Sequence, residues 1–337
     1  MTMIRLSAVL LALAGQAAAQ GTVPVTVDNF IRAESDLYIG NMVRDAGGLG
    51  KLLHHREPAD VDKQAVIRLN RDTLYSAVVF DLDAGPATIT LPDAGDRFMS
   101  LQIIDEDHYV HGVFYGAGSY TLTREDIGTR YVLAGVRTLA DPNDPADLAK
   151  VHDLQDAMTV SQAAPGSFEL PKWDQQSQTR VRDALLVLGS TTGFDGAFGS
   201  KSEVDPIHHL IGTAMGWGGN PEKDATYLSV TPPNNDGKGV YRLTVPADVP
   251  VKAFWSISLY NAEGYYVKNP YNAYSLNNIT AQKQPDGSVQ VQFGGCDGKI
   301  ANCLPIMDGW NYTVRLYRPE PQVLEGSWQF PQPVAVE

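Results

Sequence analysis

Two stretches of this chain can be laid over each other without a gap. Residues 98–109 match residues 254–265 at a constant offset of 156. Phe98 meets Phe254, Ser100 meets Ser256, Asp105 meets Asn261, Asp107 meets Glu263 and Tyr109 meets Tyr265. Leu91-Pro92 precedes the first copy as Val245-Pro246 precedes the second, with two residues inserted. Upstream, Asp72-Thr73-Leu74-Tyr75 resembles Asp224-Ala225-Thr226-Tyr227, and downstream the spacing Tyr131…Arg137 returns as Tyr312…Arg318. The matches keep their order, so the chain reads as a tandem duplication and must fold as two similar units.

The shared stretch has the pattern of a strand. Alternate side chains of a strand point to opposite faces. Met99, Leu101 and Ile103 share one face, as do Trp255, Ile257 and Leu259, which marks the core side. Ser100, Gln102, Ser256 and Ser258 lie on the other. Continued regularly, the strand would carry Asp105, Asp107 and Tyr109 along the core-facing row, to the mouth of a sandwich or barrel. Short apolar runs broken by Gly, Pro and Asp surround the first copy at 73–82, 87–91, 98–104, 119–122 and 130–137, and the pattern resumes from 227 to 318. Helical spacing is found at 27–46, with Asp28 placed to cap and Gly47-Gly48 to stop, and at 175–188 and 206–215. Asp144-Pro145 opens a further helix with the stripe Leu148, Val151, Leu154 and Met158. The expected fold is mainly β: two tandem antiparallel β-sandwich or jelly-roll-like domains joined by a helical connector, after an N-terminal helix. The boundaries are a helical segment at 20–65, a first β-domain at 66–140, the connector at 141–225 and a second β-domain at 226–337.

Residues 1–19 read as a signal peptide: Arg5, an apolar run from Leu6 to Leu13, and Ala17-Ala18-Ala19 before the cut. The run is too short to span a bilayer. A periplasmic or secreted location follows, with no membrane insertion. In an oxidising compartment Cys296 and Cys303 favour a disulfide over free thiols or a metal pair, since no His lies nearby. The formal charge of −13 argues against nucleic-acid and membrane-surface partners.

At Asn70-Arg71-Asp72-Thr73-Leu74-Tyr75-Ser76, Asp105-Glu106-Asp107-His108-Tyr109 and Tyr274-Ser275-Leu276-Asn277-Asn278-Ile279-Thr280 the chain resembles a known family. It looks like the bacterial proteins that pair domain of unknown function 1254, here roughly 66–191, with domain of unknown function 1214, here roughly 238–318. The resemblance implies a β-rich, two-domain, often exported protein. It implies no catalytic set.

The residues themselves offer several chemistries. Asp105, Asp107 and His108 are candidate metal ligands, because crowded carboxylates relieve their repulsion on a cation, and an oxygen-rich set suits Ca2+. A solvated acidic turn is the competing reading. His108 and His111 lack a visible third ligand for zinc. Arg71 and Asp72 either bind a polar ligand or pair structurally at the head of a strand. The region holding Tyr265, Tyr271, Tyr274, Asn277 and Asn278 mixes rings and amides as sugar sites do, or packs the edge of a sandwich. The nucleophile elbow Gly-x-Ser-x-Gly, the His-Glu-x-x-His metal motif and a phosphate loop do not occur in the sequence. The candidate ligand-binding residues are Arg71, Asp72, Asp105, Asp107, His108, Tyr109, Tyr265 and Asn277. The expected function is binding of a small polar or carbohydrate-like molecule, with hydrolysis open, at a β-domain mouth or between the domains. The alternative is a structural envelope protein whose tyrosine-rich loops join copies into a homo-oligomer.

Overall fold

The computed structural model describes residues 21–64 and 67–336; the expected signal peptide at 1–19 lies outside them. The chain opens on α1 (Phe30–Ala46). Its start falls after Val27 because Asn29 closes a turn onto Thr26 and Pro24 first. Gly47, in the left-handed conformation at φ 76°, ends it as expected.

The first β unit contains β1 (Leu53–His54), β2 (Thr73–Asp81), β3 (Ala87–Leu91), β4 (Met99–Asp105), β5 (Val110–Tyr115), β6 (Gly118–Leu122), the short α2 (Arg124–Ile127) and β7 (Tyr131–Leu139). α3 (Pro145–Asp156), capped by Asp144, leads to β8 (Thr159–Gln162). α4 (Gln175–Gly189) and α5 (Pro206–Gly216) follow. The second unit contains β9 (Ala225–Val230), β10 (Tyr241–Val245), β11 (Trp255–Tyr260), β12 (Ser275–Asn277), β13 (Val289–Phe293), β14 (Cys303–Leu304), β15 (Asn311–Tyr317), a turn of helix α6 (Pro321–Leu324) and β16 (Val334–Ala335). No helix among the described residues is long and apolar enough to cross a membrane.

The duplication is visible in the strand order. One large sheet runs β5-β4-β7-β2, extended by β1, and the other runs β12-β11-β15-β9. The smaller sheets run β6-β3-β8 and β13-β10-β16, the latter extended by β14. Tyr75, Arg137, Ser100 and Tyr115 lie side by side across the first large sheet. Tyr227, Arg315, Ser256 and Asn277 do so across the second. Arg137 therefore corresponds to Arg315. The expected match to Arg318 is out of register by three residues.

In each unit the core lies between its two sheets. Met99, Leu101 and Ile103 pack with Ile89, Leu91 and Val136, and Trp255, Ile257 and Leu259 pack with Leu243, Val245 and Val314. Each such side chain contributes about 1.5–3 kcal/mol on burial. β8 pairs with β3, so the first sandwich runs past the expected limit at 140. It also reaches back to β1, ahead of 66. The Cys296–Cys303 disulfide is formed.

The opposite face of each large sheet is polar, yet Ser100, Gln102, Ser256 and Ser258 are all buried. Each unit's lead-in covers the other unit's sheet. The stretch before β2 lies on β11 and β15: Arg68 donates to Asn311 at 2.9 Å and Thr313 at 3.1 Å, and Arg315 donates to the Arg68 carbonyl at 2.8 Å. The stretch before β9 lies on β4 and β7: Gln102 donates to the Gly219 carbonyl at 2.7 Å, and Arg137 donates to the Gly218 carbonyl at 2.6 Å. Asp72 accepts from Ser256 at 2.6 Å, and its counterpart Asp224 accepts from Tyr115 at 2.8 Å. Contacts exchanged in this way are those of a two-fold pair, here within one chain.

Candidate functional site

The repeated strand end is a turn, and the core-facing row stops there. Asp105 Oδ1 accepts the backbone N–H of Asp107 and of Tyr109, both at 2.9 Å. Asn261 Oδ1 accepts the N–H of Tyr265 at 2.8 Å. The fourth turn residue is left-handed in both copies, His108 at φ 64° and Gly264 at φ 89°. Glycine takes that conformation freely; histidine needs support. His108 has it. Gly218 N–H donates to His108 Nε2 at 2.7 Å, so Nδ1 carries the hydrogen and donates to Thr213 Oγ1 at 2.8 Å. Burial, and then the neighbouring His209, push the His108 pKa well below the ordinary histidine value, so the ring is neutral.

This geometry separates the expected metal ligands. Asp105 spends its carboxylate on the turn and on His111, at 2.8 Å; Asp107 pairs with Arg32 at 2.6 Å; His108 points into the interior. Among the described residues no three His, Cys, Asp or Glu side chains converge to hold a cation. Tyr109 lies flat on His209 of α5, with ring centroids 4.8 Å apart.

Asp72 and Asn277 do come together, at the junction of the two units. Asp72 sits at the head of β2, about 25 Å along the sheet from Asp105. Burial raises its pKa against the opposing pull of Arg315, Ser256 and Asn277. Asn277 Oδ1 also accepts the N–H groups of Ile279 and Thr280, both at 2.9 Å. Arg71 is turned away, donating to the Ala59 carbonyl and lying over the Tyr274 ring. Tyr265 is half-buried in its own turn. The eight candidate residues thus fall into separate places and form no single pocket.

An open cleft lies elsewhere at the same junction. It measures about 240 Å3 and is walled by residues 93–99 at the entry to β4 and 252–254 before β11. Phe98 and Tyr115 supply its aromatic surface, with Phe254 buried behind them; Asp93 and Asp96 line it from the first unit, and Lys252 and Arg318 from the second. Arg97 also reaches the cleft, but its guanidinium is taken by Asp147 and by the Leu139 carbonyl. Lys252 and Arg318 have no carboxylate within ion-pair distance among the described residues. The Arg318 guanidinium lies 4.3 Å from the centre of the Tyr115 ring, a cation–π contact. Burial, then the Asp224 carboxylate, raise the Tyr115 pKa, which keeps the phenol protonated and donating to Asp224. None of these cleft residues stands among the eight candidates. Phe98 and Phe254 carry the repeat signal; Arg318 is marked only by a spacing that the ladder shows to be out of register, and nothing in the sequence marks Lys252.

Two family models match the chain. The protein of unknown function DUF1254 matches residues 49–162, and DUF1214 matches residues 231–321. The first match runs from ahead of β1 to the end of β8, and the second spans β10 to β15. No curated protein matches the chain. Among solved structures, the VPA0106 protein from Vibrio parahaemolyticus is similar at a TM-score of 0.69 and 16% identity, over 92% of this chain and 98% of that one. An uncharacterized protein from Burkholderia cenocepacia is similar at a TM-score of 0.50 and 11% identity, over 92% and 87%. At these identities the likeness is one of fold.

Proposed function

This chain belongs to the proteins that pair DUF1254 with DUF1214, and we propose that it binds a small polar, carbohydrate-like ligand in the cleft between its two sandwiches. The observation that carries this reading is the cleft's composition. The rings of Phe98 and Tyr115 stand beside charged groups at Asp96, Lys252 and Arg318. Rings that pack on a sugar face, with polar groups aimed at its hydroxyls, are the usual means of holding such a molecule. At about 240 Å3 the space is on the scale of a monosaccharide.

Binding is favoured over hydrolysis. Glycoside cleavage places two carboxylates on either side of the scissile bond. Here Asp93 and Asp96 come from one short segment, and Lys252 and Arg318 line the cleft from the other unit. Ser76 and His54 do meet, at 2.8 Å, but Ser76 is 2% exposed and also takes a bond from Gln155, so no substrate reaches it. The tyrosine loops give less support to an oligomer interface, since Tyr274 is buried and Tyr271, though 41% exposed, has its hydroxyl bonded to the Cys296 carbonyl at 2.9 Å. Export to the periplasm or beyond belongs to this reading, and the disulfide supports an oxidising compartment.

The test is a thermal-shift screen of monosaccharides and their derivatives, followed by calorimetry. Ile279 lines the cleft and is 58% exposed, so Ile279→Trp blocks the space without touching the core. A ligand of the wild type is expected to bind the variant at least tenfold more weakly. Equal binding to both proteins rules the cleft out as the site.

A further inference from the structure

The two walls of the cleft come from copies of one segment, yet they carry opposite charge. Where the framework demands a residue the copies agree, as at Phe98 and Phe254 or Ser100 and Ser256. Two positions before the phenylalanine they are opposed. Asp96 stands in the first copy and Lys252 in the second, and both line the cleft.

A second divergence falls in the same place. The residue after β7 is Ala140, whose N–H donates to the Asp72 carbonyl at 3.0 Å; its counterpart after β15 is Arg318, whose N–H donates to the Asp224 carbonyl at 2.9 Å. Arg318 holds a left-handed backbone at φ 54°, which Ala140 does not share. Its carbonyl accepts the Lys252 N–H at 2.8 Å, which sets the two cations on adjacent backbone. A strained residue pinned on both sides, with its side chain lining an open cleft, is a usual mark of a binding site. The duplication does not require either cation. In a chain of net charge −13, two neighbouring cations with no carboxylate in ion-pair contact among the described residues run against the general composition.

We infer that the ligand of this cleft is a small hydroxylated anion, a sugar acid or a sugar phosphate, with its anionic group against Lys252 and Arg318 and its hydroxyls toward Asp93 and Asp96. This deepens the proposed function and rests on it. The guanidinium fork matches a carboxylate or phosphate edge, and the ammonium adds a point charge. Carboxylates opposite accept from hydroxyl groups and repel a second anionic end, so the ligand enters in one orientation.

The experiment is calorimetry on the full chain with glucose, glucuronate and glucose 6-phosphate as probes. At least one of the two anions is expected to bind tenfold or more tightly than glucose, and added salt is expected to narrow the gap. Lys252→Ala, at an exposed position, and Arg318→Asn, which tolerates the left-handed backbone, are each expected to remove most of that preference. Glucose binding as tightly as both anions overturns the inference and leaves the proposed site standing. An anion preference that survives in both variants also overturns it. Failure of all three probes to bind the wild type overturns the inference and the reading beneath it together.

Discussion

Phe98 and Phe254 occupy equivalent places in the two halves of the chain, and they touch each other edge to face with ring centroids 5.1 Å apart. A residue meets its own counterpart only on the line that relates two copies. Tyr317 completes the cluster by stacking on Phe254 at 4.1 Å. This contact closes the junction directly beneath the cleft.

The ring pair should therefore matter to stability as a unit. Phe254→Ala is expected to cost about 3–5 kcal/mol, and Phe98→Ala less, because Phe98 is only half-buried. In a double-mutant cycle by urea unfolding the two should couple by about 0.5–1.5 kcal/mol. Strict additivity would mean that the rings are neighbours without a shared role.

Position 108 offers a test of backbone strain against hydrogen bonding. His108 is left-handed and ties down Gly218 and Thr213, whereas the other copy has glycine. Both His108→Ala and His108→Gly lose these bonds, and each is expected to destabilise the fold by about 2–4 kcal/mol. His108→Gly should be the milder by about 1 kcal/mol, because it alone relieves the strain. If alanine proves as good as glycine in chemical denaturation, the strain account is wrong.

Asp36 on α1 sets a pH dependence of definite sign. Burial above all, with Glu106 nearby and against the bond from Trp173, raises its pKa to about 6. One carboxylate oxygen, Oδ1, has no hydrogen-bond partner. Between about pH 4 and 6 the folded chain keeps a proton that the unfolded chain has lost. The group's contribution is therefore intact below pH 4 and declines as pH rises through 6, by roughly 3 kcal/mol at most. Asp36→Asn should match the wild type near pH 4 and exceed it increasingly up to pH 7. A difference that does not change with pH would count against the buried, protonated carboxyl.

The disulfide closes a short loop, between residues seven apart. Reduction is expected to cost about 2 kcal/mol on loop-entropy grounds. Cys303 lies in β14 at the edge of its sheet, so the loss should begin at that edge. Melting with and without reductant measures the cost, and hydrogen exchange at Gln292 and Phe293 locates it. An unchanged melting temperature would mean that the reduced loop keeps its shape.

Much of the fold was legible because the duplication preserves its framework. Phe98, Ser100, Asp105 and Tyr109 recur because a strand of that register must enter the junction, present a polar face and close with an Asx turn. Local patterns misled where they stood in for pairing. The matching spacing of Tyr131…Arg137 and Tyr312…Arg318 hid the true partner Arg315, which only the ladder reveals. β5 carries no strand signal in the sequence, because Gly112 and His111 interrupt its apolar pattern. The acidic turn looked like chemistry because a sequence does not tell whether a carboxylate's lone pairs are already used. Lys252 and Arg318 sit in connecting segments far apart in the chain, and only the sheet between them makes them neighbours.

The exchanged lead-ins have a consequence for biosynthesis. A growing chain makes β2 through β7 long before residues 218–220 exist, so Gln102 and Arg137 must wait for the carbonyls that accept from them. Residues 68–72, made early, find their lasting partners only once Ser256 and Arg315 have emerged. Neither sandwich can reach its final state on the ribosome by itself. The first sheet's polar face is covered once residues 218–220 emerge and the second's only after Arg315, and a chain cut short after the first unit would display a polar, half-finished sheet to the cell's quality control.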